Sequence, residues 1–312
     1  MNCAGTVLHV CRKNLLQMCA CILFFLTVNS VAAEGVMNVS IPDTEKCSAT
    51  QTYSPFELSV WPDVGFAVTG LSTSAITFYL QKKNDFPRWD GTLYDASTVN
   101  DFDRWAMKPY NKTLDYVATG TCAVDLAVLP ISVFATEALV GNLPKGDWGT
   151  TAIMYAEAFL LSYGIKGLLK TSLLRVRPYM YFDGYPEDAI ANSDFEFSCP
   201  SGHTTNAFLG AVFTSYVFAE YYPNSKWRIP VTCISLGIAA ATGVLRVMSG
   251  NHFVSDVLAG AALGSFCGFI VPFVHHLISQ KQNESVSDGT GVEQNKYSYT
   301  VTPLGIDFKL YL

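Results

Sequence analysis

The sequence predicts an all-α protein, a multi-span membrane bundle of about six helices whose functional site lies at the helix ends. Hydrophobic residues make up 50% of the 312 residues, and charged residues make up only 15%. Soluble domains average about 25% charged residues, so this composition favours a membrane protein. The apolar residues are also clustered into stretches close to the roughly 20 residues that a helix needs to cross a bilayer.

Residues 1–33 have the pattern of a targeting segment. Arg12 and Lys13 supply positive charge, an apolar run follows over 15–28, and small residues close the segment. This order is typical of a secretory signal peptide. An uncleaved N-terminal anchor is the alternative interpretation. Residues 34–63 then form a polar N-terminal segment without a clear period.

Six apolar stretches within residues 64–278 define the predicted helical bundle. Small residues are frequent in them, as in 259–264, and small side chains let membrane helices approach closely. The first stretch is the weakest predicted span because it is rich in Gly, Ser and Thr. The six stretches are 64–80, 114–140, 148–168, 203–222, 229–248 and 254–278.

Two polar regions interrupt or follow the apolar stretches. The segment 84–113 contains Asp101-Phe-Asp-Arg-Trp105, which we interpret as an amphipathic helix near the membrane interface. Residues 279–312 are predicted to be a polar linker and a short β-like tail, because apolar and polar residues alternate near the end.

The cysteine and charge patterns narrow the classes of function. No C-x-x-C pair occurs after the leader, so a thiolate metal site is not expected. Cys47 and Cys199 lie in polar stretches and could form a disulfide in an oxidising compartment. The formal net charge of −6, without a basic face, argues against a nucleic-acid partner.

Three motifs place cations and histidines at the ends of apolar stretches. They start at Lys170 (KTSLLRVRP), Pro200 (PSGH) and Arg246 (RVMSGNHFVSD). Cations and imidazoles are costly to bury unpaired in a membrane. If the stretches cross the membrane in turn, the motifs reach the same side and their basic groups converge on one pocket. A phosphate dianion is the natural occupant of such a pocket.

Spacing inside these motifs suggests chemistry. His252 and Asp256 are four residues apart and would share one face of a helix. Asp256 could then accept a hydrogen bond from one imidazole nitrogen and leave the other free to attack; an ordinary His–Asp pair is the alternative. Ser201 and Gly202 precede an apolar helix, so their backbone N–H groups are predicted to face an anion. A plain turn and helix cap is the alternative there.

Three further basic residues receive a structural interpretation. His275 and His276 end the last apolar run, where placement at the membrane interface explains them. Arg175 lies inside the first motif and is either a side chain that snorkels to the headgroup level or a substrate contact.

The order Lys-x6-Arg-Pro, Pro-Ser-Gly-His and Arg-x5-His-x3-Asp resembles the type 2 phosphatidic acid phosphatase superfamily. That superfamily also holds class A acid phosphatases and vanadium haloperoxidases. The resemblance covers about 164–278 and implies a phosphoric monoester hydrolase. One departure is Leu245, where the family usually has Ser before the arginine of the third motif. It removes a possible hydroxyl contact near the phosphate.

The resemblance also implies a role for each motif residue. His252 would attack phosphorus and form a phosphohistidine, and Asp256 would orient it. His203 would protonate the leaving oxygen and then activate water. Protein cations would neutralise the transferring group, so neither a metal nor another cofactor is expected. The residues expected to hold the phosphate are Lys170, Arg177, Ser201, Gly202 and Arg246.

Four functions remain open at this point. The expected one is a membrane phosphatase acting on a phosphorylated lipid, because apolar stretches suit a substrate delivered from the bilayer. The alternatives are a secreted soluble acid phosphatase for small esters, a vanadate-dependent oxidase, and a non-catalytic lipid-binding or transport protein. We expect a multi-pass protein of the cell membrane with its active site on the periplasmic or outer face. Its oligomeric state cannot be read from the sequence.

Overall fold

The computed structural model describes residues 54–83, 89–140, 147–287, 297–302 and 305–310. The predicted leader over 1–33 lies outside these residues. So does Cys47, one half of the candidate disulfide, and so does most of the polar segment 34–63.

The all-α prediction is confirmed, because each of the six apolar stretches falls almost entirely in helix. The stretch 114–140 is divided by a π-helical turn at Val124–Val128. In chain order the helices are α1 Val60–Lys83, α2 Asp101–Arg104, α3 Lys112–Ala123, α4 Leu129–Val140, α5 Asp147–Leu173, α6 Glu187–Ala191, α7 Gly202–Tyr221, α8 Arg228–Met248 and α9 Val254–Ser287.

The helices present a surface suited to lipid. Four helical segments of the described chain are long and apolar enough to cross a membrane: Lys112–Phe134, Asp147–Leu173, Arg228–Met248 and Val254–Gln282. Helix α1 has a comparable length, 24 residues, but is more polar, as its Gly, Ser and Thr content indicated. Large apolar side chains are exposed on the outside of the bundle, among them Ile131, Phe159, Ile234 and Leu258.

Helix α7 lies inside the bundle, where it packs against α8, α9 and α5. Glycines on α9 permit the close approach of these helices. A Cβ on Gly264 would overlap the backbone oxygen of Thr205, and one on Gly268 would meet the backbone oxygen of Leu209 at 2.6 Å. The small residues predicted from sequence therefore bring two helix backbones together. Side chains such as Phe213, Met154 and Val271 fill the core around this contact.

Helices α1 and α5 run in the same direction. Gly70 of α1 lies against Leu160 of α5, and Thr77 lies against Gly167, so positions along the two helices advance together. The start of α1 is therefore at the opposite end of the bundle from the C-terminal end of α5, where Lys170 lies.

The loops at the Lys170 end include the short helix α2. It is four residues long, too short to lie along a membrane surface as an amphipathic helix. Phe102 and Trp105 are exposed, but Asp103 points inward and is 1% exposed. The interfacial interpretation is therefore wrong for Asp103, because this carboxylate hydrogen-bonds to residues of the site described below.

The chain after the bundle differs in detail from the predicted linker and tail over 279–312. Helix α9 continues to Ser287, past the predicted start of the linker. Strands β1 (Tyr297–Thr302) and β2 (Gly305–Leu310) pair antiparallel, with Tyr297 opposite Leu310. The residues between α9 and β1 lie outside the described part of the chain.

Candidate active site

The three motifs meet at one end of the bundle. Lys170 lies in the last turn of α5, and Arg246 lies in the last turn of α8. His203 lies in the first turn of α7, and His252 lies in the loop between α8 and α9. Since α5 and α8 run toward this end and α7 and α9 start from it, the alternating direction of the helices brings distant motifs together.

His252 is at the centre of the cluster and is 2% exposed. Its Nε2 atom lies 3.1 Å from the Nη1 atom of Arg177. A guanidinium can only donate, so Nε2 is the accepting nitrogen and the neutral ring carries its hydrogen on Nδ1. Nδ1 lies 3.8 Å from Oδ2 of Asp256, beyond hydrogen-bond distance. This tautomer leaves the Nε2 lone pair on the Arg177 side of the ring.

The predicted helical pairing of His252 with Asp256 is wrong. Helix α9 begins only at Val254, so His252 is not on the same helical face as Asp256. The physical reason is that Asp256 caps the helix: its Oδ2 accepts a hydrogen bond from the backbone N–H of Phe253 at 2.9 Å. A carboxylate in the first turn that reaches back in this way stabilises a helix start.

Asp256 is held rigidly by donors from elsewhere in the chain. Its carboxylate is fully buried and accepts from the Ser198 hydroxyl at 2.5 Å and from Arg175 Nη1 at 2.6 Å. Its backbone oxygen accepts from the N–H of Ser201 at 3.0 Å. Asp256 is thus fixed beside the Nδ1 edge of His252, where its negative charge stabilises positive charge on the imidazole.

Arg175 connects Asp256 to the inward-facing Asp103. Its Nη2 donates to Asp103 at 2.7 Å, and its guanidinium carbon lies 4.1 Å from the centre of the Phe253 ring. Asp103 also accepts from the N–H and hydroxyl of Ser255, at 2.9 Å and 2.7 Å. Neither earlier interpretation of Arg175 holds, because both of its carboxylate partners lie within the protein.

This network sets the ionisation of Asp103. Burial alone would raise the pKa of Asp103, but the hydrogen bonds from Arg175 and Ser255 outweigh burial and lower that pKa below its usual value. Asp103 is therefore a carboxylate under ordinary conditions. The side chains form an ion-pair network of alternating charge, negative Asp103, positive Arg175 and negative Asp256. This network ends beside His252.

Arg177 and Arg246 are both buried, and each has an acidic partner. Arg177 donates from Nη2 to Asp194 at 2.7 Å and from Nε to the Asp194 backbone oxygen at 3.0 Å. Arg246 forms an ion pair with Asp115. The two carboxylate side chains are more exposed than the arginines, at 53% for Asp194 and 26% for Asp115. An entering anion can therefore compete for both guanidinium groups from the solvent side.

Lys170 and His203 complete the basic cluster. Lys170 donates to the backbone oxygen of Phe197 at 2.9 Å. A Cβ on Gly202 would lie 3.9 Å from Lys170 Nζ, so the start of α7 faces this ammonium group. His203 Nε2 lies 3.1 Å from the hydroxyl of Thr119 on α3.

The backbone prediction for Ser201 requires correction, whereas that for Gly202 stands as a prediction. The Ser201 N–H already donates to the Asp256 backbone oxygen, and the Ser201 hydroxyl accepts from Thr204 at 2.9 Å. Ser201 is fully buried and orders the loop instead of facing an anion through its N–H. Helix α7 begins at Gly202 and has no side-chain cap, so its first N–H groups are available to an anion.

Electrostatics favour a neutral His252. Burial is the largest cause that lowers the pKa of His252 well below its ordinary value, followed by the positive charges of Arg177, Arg246 and Lys170. The imidazole therefore keeps its lone pair at neutral pH. A neutral imidazole beside cations can attack an electrophile that those cations bind.

Several residues that shape the site were not found from the sequence. They lie in loops and short helices, within α3 and at the start of α9, and the spacing of these polar residues gives no pattern of its own. The signal that could have found Asp103 and Asp115 is weak, namely an acidic residue beside aromatic residues in a short polar segment. The residues missed are Asp103, Asp115, Thr119, Asp194, Ser198 and Ser255.

Part of the chain is similar to known proteins. A family model described as the PAP2 superfamily matches residues 151–279, a range that contains all three motifs. The chain is 33% identical over 132 residues to a lipid A 1-phosphatase of Porphyromonas gingivalis, covering 42% of this chain and 25% of that protein. It is 36% identical over 105 residues to phosphatidylglycerophosphatase B of Bacillus subtilis, covering 33% of this chain and 48% of that protein.

A solved structure also matches part of the chain. It is the crystal structure of a transmembrane PAP2 type phosphatidylglycerolphosphate phosphatase from Bacillus subtilis, 22% identical, with a TM-score of 0.37, covering 73% of this chain and 100% of that one. The present chain spans between a quarter and a half of the length of the two curated relatives. Residues 151–279, which carry the three motifs in order at one end of a helical bundle, are thus similar to the PAP2 superfamily.

Proposed function

We propose that this protein is an integral-membrane phosphatase that hydrolyses the phosphate monoester of a lipid through a phosphohistidine intermediate on His252. The observation that carries the proposal is the 3.1 Å contact between His252 Nε2 and Arg177, with Arg246 and Lys170 nearby. This arrangement puts a neutral nucleophile next to the cations that would bind its electrophile.

In the binding step, the phosphate dianion replaces the carboxylates of Asp115 and Asp194 on the two buried arginines. Arg246 and Arg177 then hold separate phosphate oxygens, and Lys170 supplies a third positive charge. The first N–H groups of α7, beginning at Gly202, add hydrogen bonds to the same anion. These cations neutralise the charge of the transferring group, so the proposed mechanism needs no metal ion.

In the first chemical step, the Nε2 lone pair of His252 forms a bond to phosphorus as the bond from phosphorus to the lipid oxygen breaks. His203 carries a proton in the substrate complex, where the phosphate dianion offsets the neighbouring cations. The leaving oxygen takes this proton, and the lipid alcohol departs. His252 becomes positively charged, and the carboxylate of Asp256 stabilises that charge from the Nδ1 side.

In the second step, water attacks the phosphohistidine. His203, now neutral, accepts a proton from this water as the bond between phosphorus and Nε2 breaks. Inorganic phosphate leaves, and His252 returns to its neutral form. The contact between His203 and the Thr119 hydroxyl would hold the ring in position for both transfers.

A lipid substrate is favoured over a small soluble ester by the surroundings of the site. The motifs lie at the ends of helices whose outer surfaces are apolar and exposed, so a lipid could bring its phosphate to the site while its chains stay in the bilayer. The two curated relatives carry names that specify phosphorylated lipids, lipid A and phosphatidylglycerophosphate. A soluble secreted acid phosphatase would need a polar outer surface instead.

Phosphate release from a panel of lipids tests this function. Purified protein in detergent would be given lipid A, phosphatidylglycerophosphate, phosphatidate, a polyprenyl phosphate and a small aryl phosphate. The proposal expects release from at least one lipid at a kcat/KM well above that for the aryl phosphate, and none from the His252→Ala variant. Faster turnover of the soluble ester than of every lipid would favour the alternative acid phosphatase.

The side of the membrane that the site faces is linked to whether the leader is cleaved. Residues 54–59 and the active site lie at opposite ends of the bundle, because α1 and α5 run in parallel. We propose that the site faces the periplasmic or outer side, which places residues 54–59 on the cytoplasmic side. A cleaved signal peptide would export those residues, so an outer-facing site goes with an uncleaved leader or a further crossing before residue 54.

Two engineered cysteines would measure the orientation. Glu187→Cys lies at the exposed start of the short helix α6 on the active-site side, and Asn224→Cys lies in an exposed loop on the other side. With an impermeant thiol reagent on intact cells, the proposed orientation expects labelling at position 187 and protection at position 224. The reverse pattern would place the site in the cytoplasm.

A further inference from the structure

A second buried cluster of ionisable side chains lies at the other end of the bundle. His275 of α9 is fully buried, while Glu157 of α5 is 8% exposed and Asp63 of α1 is 6% exposed. His275 is about 21 residues along α9 from its start, or about 30 Å at the rise of an α-helix, so this cluster is separate from the phosphatase site. The sequence-based placement of His275 at a membrane interface is wrong.

The hydrogen bond at Nδ1 of His275 determines what the Nε2 atom of the same ring can bind. Nδ1 lies 3.0 Å from the backbone oxygen of Glu57, and a carbonyl oxygen can only accept, so Nδ1 carries a hydrogen. Nε2 then points at two carboxylates, with Glu157 Oε2 at 3.0 Å and Asp63 Oδ1 at 3.5 Å. A neutral ring would aim its lone pair at two negative groups, so a positive species must lie among them.

We propose that Asp63, Glu157 and His275 bind a divalent transition-metal cation of the zinc type. The three candidate donor atoms lie within 4.8 Å of one another. A tetrahedral site with bonds of about 2.0–2.1 Å has ligand–ligand distances of about 3.3–3.4 Å, close to both measured contacts of Nε2. Nitrogen and oxygen donors without sulfur suit such a cation. The carbonyl of Glu57 orients the imidazole in the manner usual for metal-bound histidines.

Charge supports a cation over a proton alone. With an imidazolium, two carboxylates and one positive ring leave the buried cluster with one net negative charge. A divalent ion with a neutral ring and the same two carboxylates leaves a neutral cluster. Burying a net charge away from water is costly, so the metal-bound form is favoured over the cluster in which only the imidazole is protonated.

The position of the cluster gives the ion a structural role. It joins α1, α5 and α9, and α1 is the long helix whose polar composition suits a membrane least well. The preceding segment is fastened to α9 at the same place: the Glu57 N–H donates to the His275 backbone oxygen, and His276 Nδ1 contacts the Pro55 backbone oxygen at 2.9 Å. A metal here would lock the first and last helices of the bundle to α5.

Metal content of the purified full-length protein tests the site. The protein would be made with a tag free of histidine, in medium supplemented with zinc, manganese, iron, cobalt and nickel, and analysed by inductively coupled plasma mass spectrometry. The proposal expects about one equivalent of one metal per chain. Both Glu157→Gln and His275→Ala should lower this content at least about tenfold. X-ray absorption should show nitrogen and oxygen ligands without sulfur.

A matched control separates ligand loss from general damage. Asp125→Asn makes the same kind of change at another fully buried carboxylate, whose oxygens have no hydrogen-bond partner among the described residues, and should keep the metal. Circular dichroism and gel filtration would confirm folding, with Glu157→Gln as the near-isosteric variant if His275→Ala fails to fold. Metal below about 0.1 equivalent in the parent protein, or equal metal in Glu157→Gln and Asp125→Asn, would overturn the proposal.

Discussion

The two ends of the bundle each bury a histidine, but in opposite electrical surroundings. His252 lies among Arg177, Arg246 and Lys170, with its accepting nitrogen toward Arg177. His275 lies between two carboxylates, with its Nε2 toward them. The first environment excludes a proton and leaves a nucleophile that can meet an anion. The second would attract a cation, so in the proposals above the same side chain serves reaction chemistry at one end and binding at the other.

The largest contrast between the two ends should be in activity. His252→Ala removes the nucleophile, and we expect kcat for phosphate release to fall by about 10⁴-fold or more. His275→Ala lies about 30 Å away along α9 and should change kcat by less than about threefold in protein that folds. Both variants would be assayed on the best lipid of the panel. Similar losses of kcat in the two variants would contradict the proposed functional difference between the two ends of the bundle.

The positive charges around His252 can be removed one at a time. Arg177→Ala removes both the contact to His252 and a phosphate ligand, so kcat/KM should fall by about 10²–10³-fold. The matched change Arg228→Ala, at the other end of the bundle, should leave kcat/KM within about twofold, because the Arg228 side chain is exposed and donates to the Pro223 backbone oxygen. Loss of activity in Arg228→Ala alone would contradict the assignment.

Substitution of Asp103 tests whether activity depends on a residue outside the range that the family model matches. Asp103→Asn weakens the hold on Arg175 and, through it, on Asp256, so we expect kcat to fall by about 10–100-fold with little change in KM. Asp101→Asn alters an exposed carboxylate two residues away and should have no effect. A rise in KM of about 10–100-fold without loss of kcat would indicate that Asp103 acts on substrate binding instead of positioning.

The smallest effect expected is on pH dependence. The proposed reaction requires neutral His252, and the pKa of that group is lowered by burial and by neighbouring cations. The neutral form therefore persists as pH falls below the ordinary value of about 6.5, and activity is lost only as pH passes the lower, folded-state pKa. The acid limb of kcat/KM, corrected for ionisation of the substrate, should lie below the ordinary imidazole pKa of about 6.5. A limb near 6.5–7 would show that the cations do not act on His252.

Sequence predicted the parts of this molecule that follow from local pattern. Apolar stretches located the long helices, and their alternation predicted that Lys170, His203 and His252 would share one end. The local geometry of His252 and Asp256 was not predictable, because a four-residue spacing reads as helix whether the helix starts before or after the histidine. The capping contact from Asp256 to Phe253 decides that start, and it depends on tertiary structure.

The residues that sequence did not find have long-range partners. Asp103 contacts Ser255 and Arg175, and Asp115 contacts Arg246, across separations that no local pattern encodes. His275 was assigned to an interface because it ends an apolar run. Only the packing of α1 and α5 beside α9 reveals that two acidic residues meet it.

Trapping of a phosphoenzyme tests the central claim most directly. The His203→Ala variant should still accept phosphate from an aryl [³²P]phosphate, whose leaving group departs without an acid, but should hydrolyse the intermediate slowly. After quenching in alkali, in which phosphohistidine is stable, the account predicts radioactive protein with the label mapped to His252. No label in His203→Ala, or undiminished label when His252→Ala is added, would contradict it.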